Sequence, residues 1–395
     1  MITLDQAHAI LQQTLAPLPM IACPLGDANG QVLAEPVRAR LTQPPFPASA
    51  MDGYAVRSAD LNSHTVSLFV VGESAAGHAF EGRLGEGQAV RISTGAVLPE
   101  GADQIIIQEN TRRDGERVIT AQPAGAGAHI REAGQDFETG QLLLERGHRL
   151  TPDALSLIAA SGHDTVPVVR RPKIGILASG DELVEPGRTP SAGQIINSIT
   201  SGLSALIAQW GAEPVYLGIA GDTEKSIADK LDTAPELDLI VPVGGASVGE
   251  HDHMRRVIEA RGGVLKFEKI AVRPGKPTWF AMMPDGTAMI GLPGNPVSAL
   301  VMARLVLRNA VRILRGETPH TPRILMKLTA TMPANGDRET YVRGVRNDDE
   351  NCVTPLPRQD SAILTTLVTA NALIRRTIGA QAADKGEVIE VIALD

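Results

Sequence analysis

The sequence predicts a multidomain α/β plus β fold, with an open, mostly parallel sheet at its centre and β-rich regions on either side. Two observations carry this. One is a strand, glycine turn and helix grammar that recurs at residues 174–183 (IGILASGDEL), 237–252 (LDLIVPVGGASVGEHD) and 288–300 (AMIGLPGNPVSAL). In the middle copy an apolar, β-branched run at 239–243 fits a strand buried on both faces; Gly244, Gly245 and Gly249 open the turn, and Met254, Val257 and Ile258 resume at helical spacing. The other is a change of texture outside residues 172–320, where short apolar runs are broken by glycines.

Taken in order, residues 1–20 read as an amphipathic helix, with Leu4, Ala7, Ile10, Leu11 and Leu15 on one face and Pro17 and Pro19 as its stop. Residues 31–40 read as a short extended piece. Pro44, Pro45 and Pro47 then stiffen the entry to a new region. Runs at 68–71, 89–92, 104–108 and 117–120 make that region β-rich. Thr151 is placed to cap a helix with Pro152 at its first position and Asp153 in its first turn, leading through Gly162 to a strand at 166–169. Residues 1–40 and 141–171 thus flank an insert at 41–140 and are expected to form one split linking domain, with the first helix free to pack on the α/β unit instead. In that unit, 172–320, strands are expected near Ile174, Val215, Leu239 and Met289, and helices near 198–210, 225–231 and 297–314. Beyond Thr321, Lys327, Thr329 and Thr331 alternate with Leu328, Ala330 and Met332, and runs at 341–345, 352–354, 372–374 and 387–392 complete a small C-terminal β domain, 321–395. No internal repeat is visible.

Composition narrows the function. The two cysteines, Cys23 and Cys352, lack metal-finger spacing, which argues against a disulfide framework and for a reducing, cytoplasmic setting. Asp5, Gln6 and His8 interrupt any N-terminal apolar core, and no segment approaches the roughly 18 apolar residues of a membrane span. A net charge of −8 and only 3% aromatics argue against a nucleic-acid binder. An anionic small ligand then needs a local basic patch, and Lys269, Arg273 and Lys276 offer one. Ligands of open parallel sheets collect beyond the carboxyl ends of the strands, so Asp181, Glu182, Ser247, Asp252, Asn295 and Ser298 are expected to converge, with turn N–H groups suited to a phosphate or another oxyanion. Simpler readings stand beside these. Asp52 and Asp136 also suit turn caps beside Gly53 and Gly134, Thr94 a turn hydroxyl, Pro293 and Pro296 loop shaping, and Lys269 and Arg343 solvated charges.

Together the motifs resemble the molybdopterin molybdenumtransferases, the MoeA family that includes the E domain of gephyrin. The resemblance spans nearly the whole chain. It rests on SAMDGYAVR (49–57), ISTGAVLPEGAD (92–103), IREAGQD (130–136), SGDEL (179–183), GGASVGEHD (244–252), RPGKP (273–277) and GLPGNPVSAL (291–300), in the family's order. It implies that the central unit is a molybdopterin-binding-like domain, that the C-terminal domain is β-barrel-like, and that the protein is an elongated homodimer with sites between subunits. The implied reaction cleaves adenylylated molybdopterin, inserts molybdate into its dithiolene and releases AMP, with Mg2+ or another divalent cation.

Carried over by motif, the catalytic positions fall on Asp52, Glu182, Asp222 and Asp252, with Glu182 and Asp252 as metal ligands. The binding positions fall on Thr94, Asp136, Lys269, Arg273, Lys276, Pro293, Pro296, Arg343 and Ser361, and the glycine turns at the strand ends add Gly244, Gly245, Ser247, Gly249 and Asn295. The chemistry is consistent: carboxylates suit a hard cation, and cationic side chains suit phosphate and molybdate. Three departures stand out. Arg273 replaces the family's frequent Lys, Asn197 and Ile199 fall where an Asp-Ser-Asn is common, and His251 and His253 flank Asp252, where solvated loop histidines are expected. Transient contact with the molybdopterin adenylyltransferase and with apo-molybdoenzymes is also implied, and no nucleic acid or membrane partner. A non-catalytic molybdopterin-binding or scaffold protein of the same fold is the alternative; a P-loop hydrolase is disfavoured because Pro277 follows Lys276.

Overall fold

The structure is a computed structural model that describes residues 1–120, 125–244 and 253–394. Its central sheet runs in the order Glu213–Ala220, Lys173–Ser179, Leu239–Val243, Ala288–Gly291, Trp279–Met282, Val264–Phe267. The first four strands are parallel, and only Trp279–Met282 runs against them, joined to its neighbours on both sides by antiparallel pairing, so the sheet is mostly parallel as expected. All five residues of Leu239–Val243 are buried, as an apolar β-branched run between two helical layers requires. The antiparallel addition follows from Pro284, Asp285 and Gly286, where Gly286 (φ 90°) and the Met283 to Thr287 hydrogen bond (2.9 Å) turn one strand back on the next.

Helices Ile199–Gln209 and Glu224–Asp232 form near their expected positions. The expected helix at 297–314 forms in three consecutive pieces, Pro296–Met302, a π-helical turn Ala303–Leu307, and Arg308–Leu314, and is buried along most of its length. Helix Leu4–Thr14 is shorter than the sequence suggested. It starts in a capping box between Thr3 and Gln6 and sets Leu4, Ala7 and Leu11 into the same core as Leu305 and Val306 of the α/β unit. The chain then leaves it for the strand Met20–Pro24, which pairs with Thr165–Val169 over a separate core containing Leu33, Leu150 and Ile158. Thr151 caps Pro152–Ala160 as expected, accepting from the Ala154 N–H at 3.2 Å.

The β-rich insert is a six-stranded sheet with Gly53–Val56 in its interior, paired to Gln104–Ile107 on one side and Gln88–Ile92 on the other. A Cβ at Gly53 would lie 2.0 Å from the Ile106 carbonyl oxygen, so only glycine permits this pairing. In the C-terminal region, strands Ile324–Leu328, Glu339–Asn347, Cys352–Pro355, Ala372–Arg376 and Val388–Ala393 close on themselves through the pairing of Glu339–Asn347 with Ala372–Arg376. The result is a small barrel, with Val272–Arg273 from the α/β unit added in parallel to Glu339–Thr340.

Candidate functional site

The strand Lys173–Ser179 has Glu213–Ala220 on one side and Leu239–Val243 on the other, which makes the gap beyond its carboxyl end the topological switch point of the sheet. Two turns meet there. Gly244 (φ 89°) packs so closely on the first turn that a Cβ would come within 2.5 Å of the Ser179 carbonyl oxygen. The first turn is fixed by reciprocal contacts: the Asp181 carboxylate accepts from the Asp222 N–H at 3.0 Å, and the Asp222 carboxylate accepts from the Asp181 N–H at 3.3 Å. Glu182 is exposed beyond this clasp, its carboxylate oxygen 2.5 Å from where a Cβ on Gly180 would stand.

Around these turns is a cavity of about 790 Å³ lined by Glu182, Asp222, Gly244, Pro293, Asn295 and Pro296 among others. A second cavity of about 810 Å³ shares Pro277, Pro293 and Asn295 with it and opens towards the barrel; Arg273, Lys276, Ser298, Arg343 and Ser361 line it. Residues expected to converge thus line two adjoining cavities with a common wall, one lined by carboxylates and the other cationic. Asn295 and Pro296 start the long helix, and the Val297 N–H donates to the Ser361 carbonyl at 3.0 Å, which ties the barrel loop to the α/β unit.

Arg343 is not the solvated charge one reading allowed: it is 1% exposed and donates from Nη2 to the carbonyls of Arg358 (3.3 Å) and Asp360 (3.2 Å). Burial pushes its guanidinium below the ordinary arginine value. Lys269 lines neither cavity; its carbonyl accepts from the Ile2 N–H at 3.0 Å. Gly245, Ser247, Gly249, His251 and Asp252 lie outside the described residues.

Asp52, Thr94 and Asp136 stand apart from these cavities, in the β-rich insert. The Asp52 carboxylate accepts from both the Thr94 N–H (2.7 Å) and the Thr94 hydroxyl (2.9 Å), which holds its pKa below the ordinary aspartate value. Asp52 thus caps the turn at Thr94 rather than its own. Asp136 lines a shallow cleft of about 530 Å³ with Pro44, Phe46 and Arg131.

Two departures resolve locally. Asn197 is buried, donates to the Tyr216 hydroxyl at 3.1 Å and accepts from the Thr200 hydroxyl at 2.7 Å, while Tyr216 donates to Glu185 at 2.7 Å. An aspartate at 197 would have no N–H for Tyr216, so the amide belongs to this network. His253 is no loop residue: it begins the helix His253–Ala260, lines the first cavity, and its Nδ1 lies 3.8 Å from Glu224. No local signal in the sequence announced the Asn197, Tyr216 and Glu185 network.

Carboxylate oxygens at Glu182 and Asp222 are the donor type that magnesium takes, and one or two carboxylates completed by substrate phosphates is its common arrangement. Among the described residues no three His, Cys, Asp or Glu side chains gather into a ready cage.

Residues 2–162 match the sequence profile of the MoeA N-terminal region (domain I and II), 175–313 a probable molybdopterin binding domain, and 326–394 the MoeA C-terminal region (domain IV). The chain is similar to a molybdopterin molybdenumtransferase of Nostoc sp., 36% identical over 81% of this chain and 76% of the relative. It is also similar to one of Bacillus subtilis, 34% identical over 94% and 89%. A solved molybdopterin biosynthesis MoeA protein from Pyrococcus horikoshii superposes over 100% of this chain and 99% of its own at a TM-score of 0.87 and 29% identity.

Proposed function

The chain belongs to the molybdopterin molybdenumtransferase family, transferases of molybdenum cofactor biosynthesis, and from that premise we propose that it inserts molybdate into the dithiolene of adenylylated molybdopterin and releases AMP. The observation that carries this reading is the pair of adjoining cavities, one lined by carboxylates and the other by cations, sharing the wall of Pro293 and Asn295. The phosphoanhydride that holds AMP is cleaved at one end of the ligand while molybdenum bonds to the dithiolene sulfurs of the same molecule, so nucleotide and molybdate need places within one reach.

In this reading Arg273, Lys276 and Ser361 hold molybdate, and Arg343 braces the loop that carries Ser361. The turn at Gly244 and the clasp of Asp181 with Asp222 orient the phosphates. Glu182 and Asp222, with Asp252, would hold Mg2+, which when bound would offset charge on the leaving AMP. Asp52, Thr94 and Asp136 line neither of the two cavities, so we assign them to the site of a second subunit in a homodimer. Contacts with the adenylyltransferase and with recipient apo-enzymes would be transient, and the protein would work in the cytoplasm. Among the described residues no helix is long and apolar enough to cross a membrane.

The test is AMP release from adenylylated molybdopterin and magnesium, with and without molybdate. Molybdate-dependent release that is lost in Glu182→Ala supports the reading. Ligand binding with no AMP at any molybdate or magnesium concentration would instead establish the non-catalytic binding protein.

A further inference from the structure

The arm that carries Arg273 and Lys276 is held from both flanks. On one side Ile2 donates to the Lys269 carbonyl (3.0 Å) and accepts from the Ala271 N–H (2.7 Å). On the other, Val272–Arg273 pairs with Glu339–Thr340, and the Glu339 N–H donates to the Ala271 carbonyl at 2.8 Å. Inside the loop, Gly275 (φ 115°) lies against Met302, and the Thr278 hydroxyl donates to the Gly275 carbonyl at 2.8 Å. The arm therefore takes its direction from its neighbours.

The Glu339 side chain sits at this junction and is itself fixed. It is 7% exposed; its Oε1 accepts from the Tyr341 hydroxyl at 2.6 Å and from Nε of Arg375, whose Nη1 reaches Glu390 at 2.5 Å. Arg323 continues the chain to Glu390 (3.6 Å) and to Asp5 (3.9 Å) on the helix that follows Ile2. Those outer links are long and half-exposed and add little; the buried end is where removing a partner matters.

We propose that Glu339 is a positioning residue for the cationic arm 269–276, and that Arg375 and Tyr341 hold its carboxylate through Oε1 so that its charge is neutralised beside the strand that carries Arg273. The inference rests on the reading of the second cavity as the molybdate site. Arg375 cancels the Glu339 charge one strand away from the arm. Without Arg375 a buried carboxylate would lie beside the segment whose cations are meant for the ligand.

Two measurements test this on the full chain. The first is the half-saturating molybdate concentration for AMP release in Arg375→Met, Glu339→Gln and the double variant. Arg375→Met is expected to raise it about ten-fold with kcat changed less than about three-fold, and adding Glu339→Gln is expected to reverse the part of that rise that comes from the uncancelled charge. The second is amide hydrogen exchange of residues 269–276 without ligand, expected to quicken in Glu339→Gln and, to a smaller degree, in Tyr341→Phe, with the midpoint of thermal unfolding recorded alongside. Unchanged exchange in Glu339→Gln, or a double variant no better than Arg375→Met, overturns the proposal. A wild-type chain that releases no AMP while exchange responds as expected would sink the transferase reading and leave the positioning role standing.

Discussion

Replacing Gly244 by alanine should disturb both the stability of the α/β unit and its chemistry, and the structure sets the size of the effect. Gly244 has φ 89°, a region where an L side chain carries a penalty of about 1–3 kcal/mol. The new Cβ would also lie 2.5 Å from the Ser179 carbonyl oxygen, a backbone atom that cannot rotate aside. A loss of about 2 kcal/mol is the conservative expectation, or a drop of about 4–8 °C in the midpoint of the unit that unfolds with this sheet. Relief of the clash must move either Gly244 or the turn from Ser179 to Glu182. A displacement near 1 Å is expected to lower molybdate-dependent AMP release by about a hundred-fold. Gly294→Ala is the control: its Cβ would meet only the Gly244 Cα at 3.5 Å, an ordinary contact, so stability should stay within about 0.5 kcal/mol. Calorimetry and the AMP assay on both variants decide the matter. A Gly244→Ala chain as stable and active as the Gly294→Ala control would refute the argument that close packing of the two turns builds the site.

Other outcomes follow from the same geometry. Thr94→Val removes one of the two donors to Asp52 and leaves the backbone N–H; the Asp52 pKa should rise towards 3.8 in a carboxyl NMR titration. Because that pKa is depressed in the fold, the stabilisation is present above 3.8 and disappears as pH falls through the lower folded value. His8 accounts for a second pH effect. Burial lowers its pKa from 6.5, against the opposing pull of the Leu305 carbonyl 2.7 Å away; Asp5 and Glu339 also raise it and Arg323 lowers it. The unfolded chain therefore takes up this proton first, so stability should decline as pH drops below 6.5, and His8→Gln should flatten that part of the denaturation profile. Arg343→Met should destabilise by about 1–3 kcal/mol, since two loop carbonyls lose their donor, and should raise the half-saturating molybdate concentration.

The sequence announced what has a local signature. The run at Leu239–Val243 reads as a buried strand because nothing polar interrupts it, and Thr151, Pro152 and Asp153 spell out a helix start. Gly53–Val56 escaped because a glycine that reads as a breaker is here the residue that lets two strands approach. Trp279–Met282 and Val264–Phe267 escaped because the antiparallel edge has no glycine turn and helix to mark it; the turn chemistry of Pro284, Asp285 and Gly286 was the signal that would have found the hairpin. The site divides in the same way. Glu182, Asn295 and Pro296 lie in turn motifs at strand ends, Asp222 came only from the family resemblance, and the four share a cavity. Partnerships between residues far apart in the chain, such as Asp52 with Thr94 or Glu339 with Arg375, left no periodicity or spacing to read.

The most direct test of the transferase account is the fate of the metal. Adenylylated molybdopterin, molybdate and magnesium are incubated with the protein, and molybdenum bonded to dithiolene sulfur, read by X-ray absorption at the molybdenum edge, is compared with AMP released. Equal amounts, both lost in Glu182→Ala, are expected. AMP release with molybdenum still coordinated only by oxygen would contradict the account and leave a phosphoanhydride hydrolase in its place.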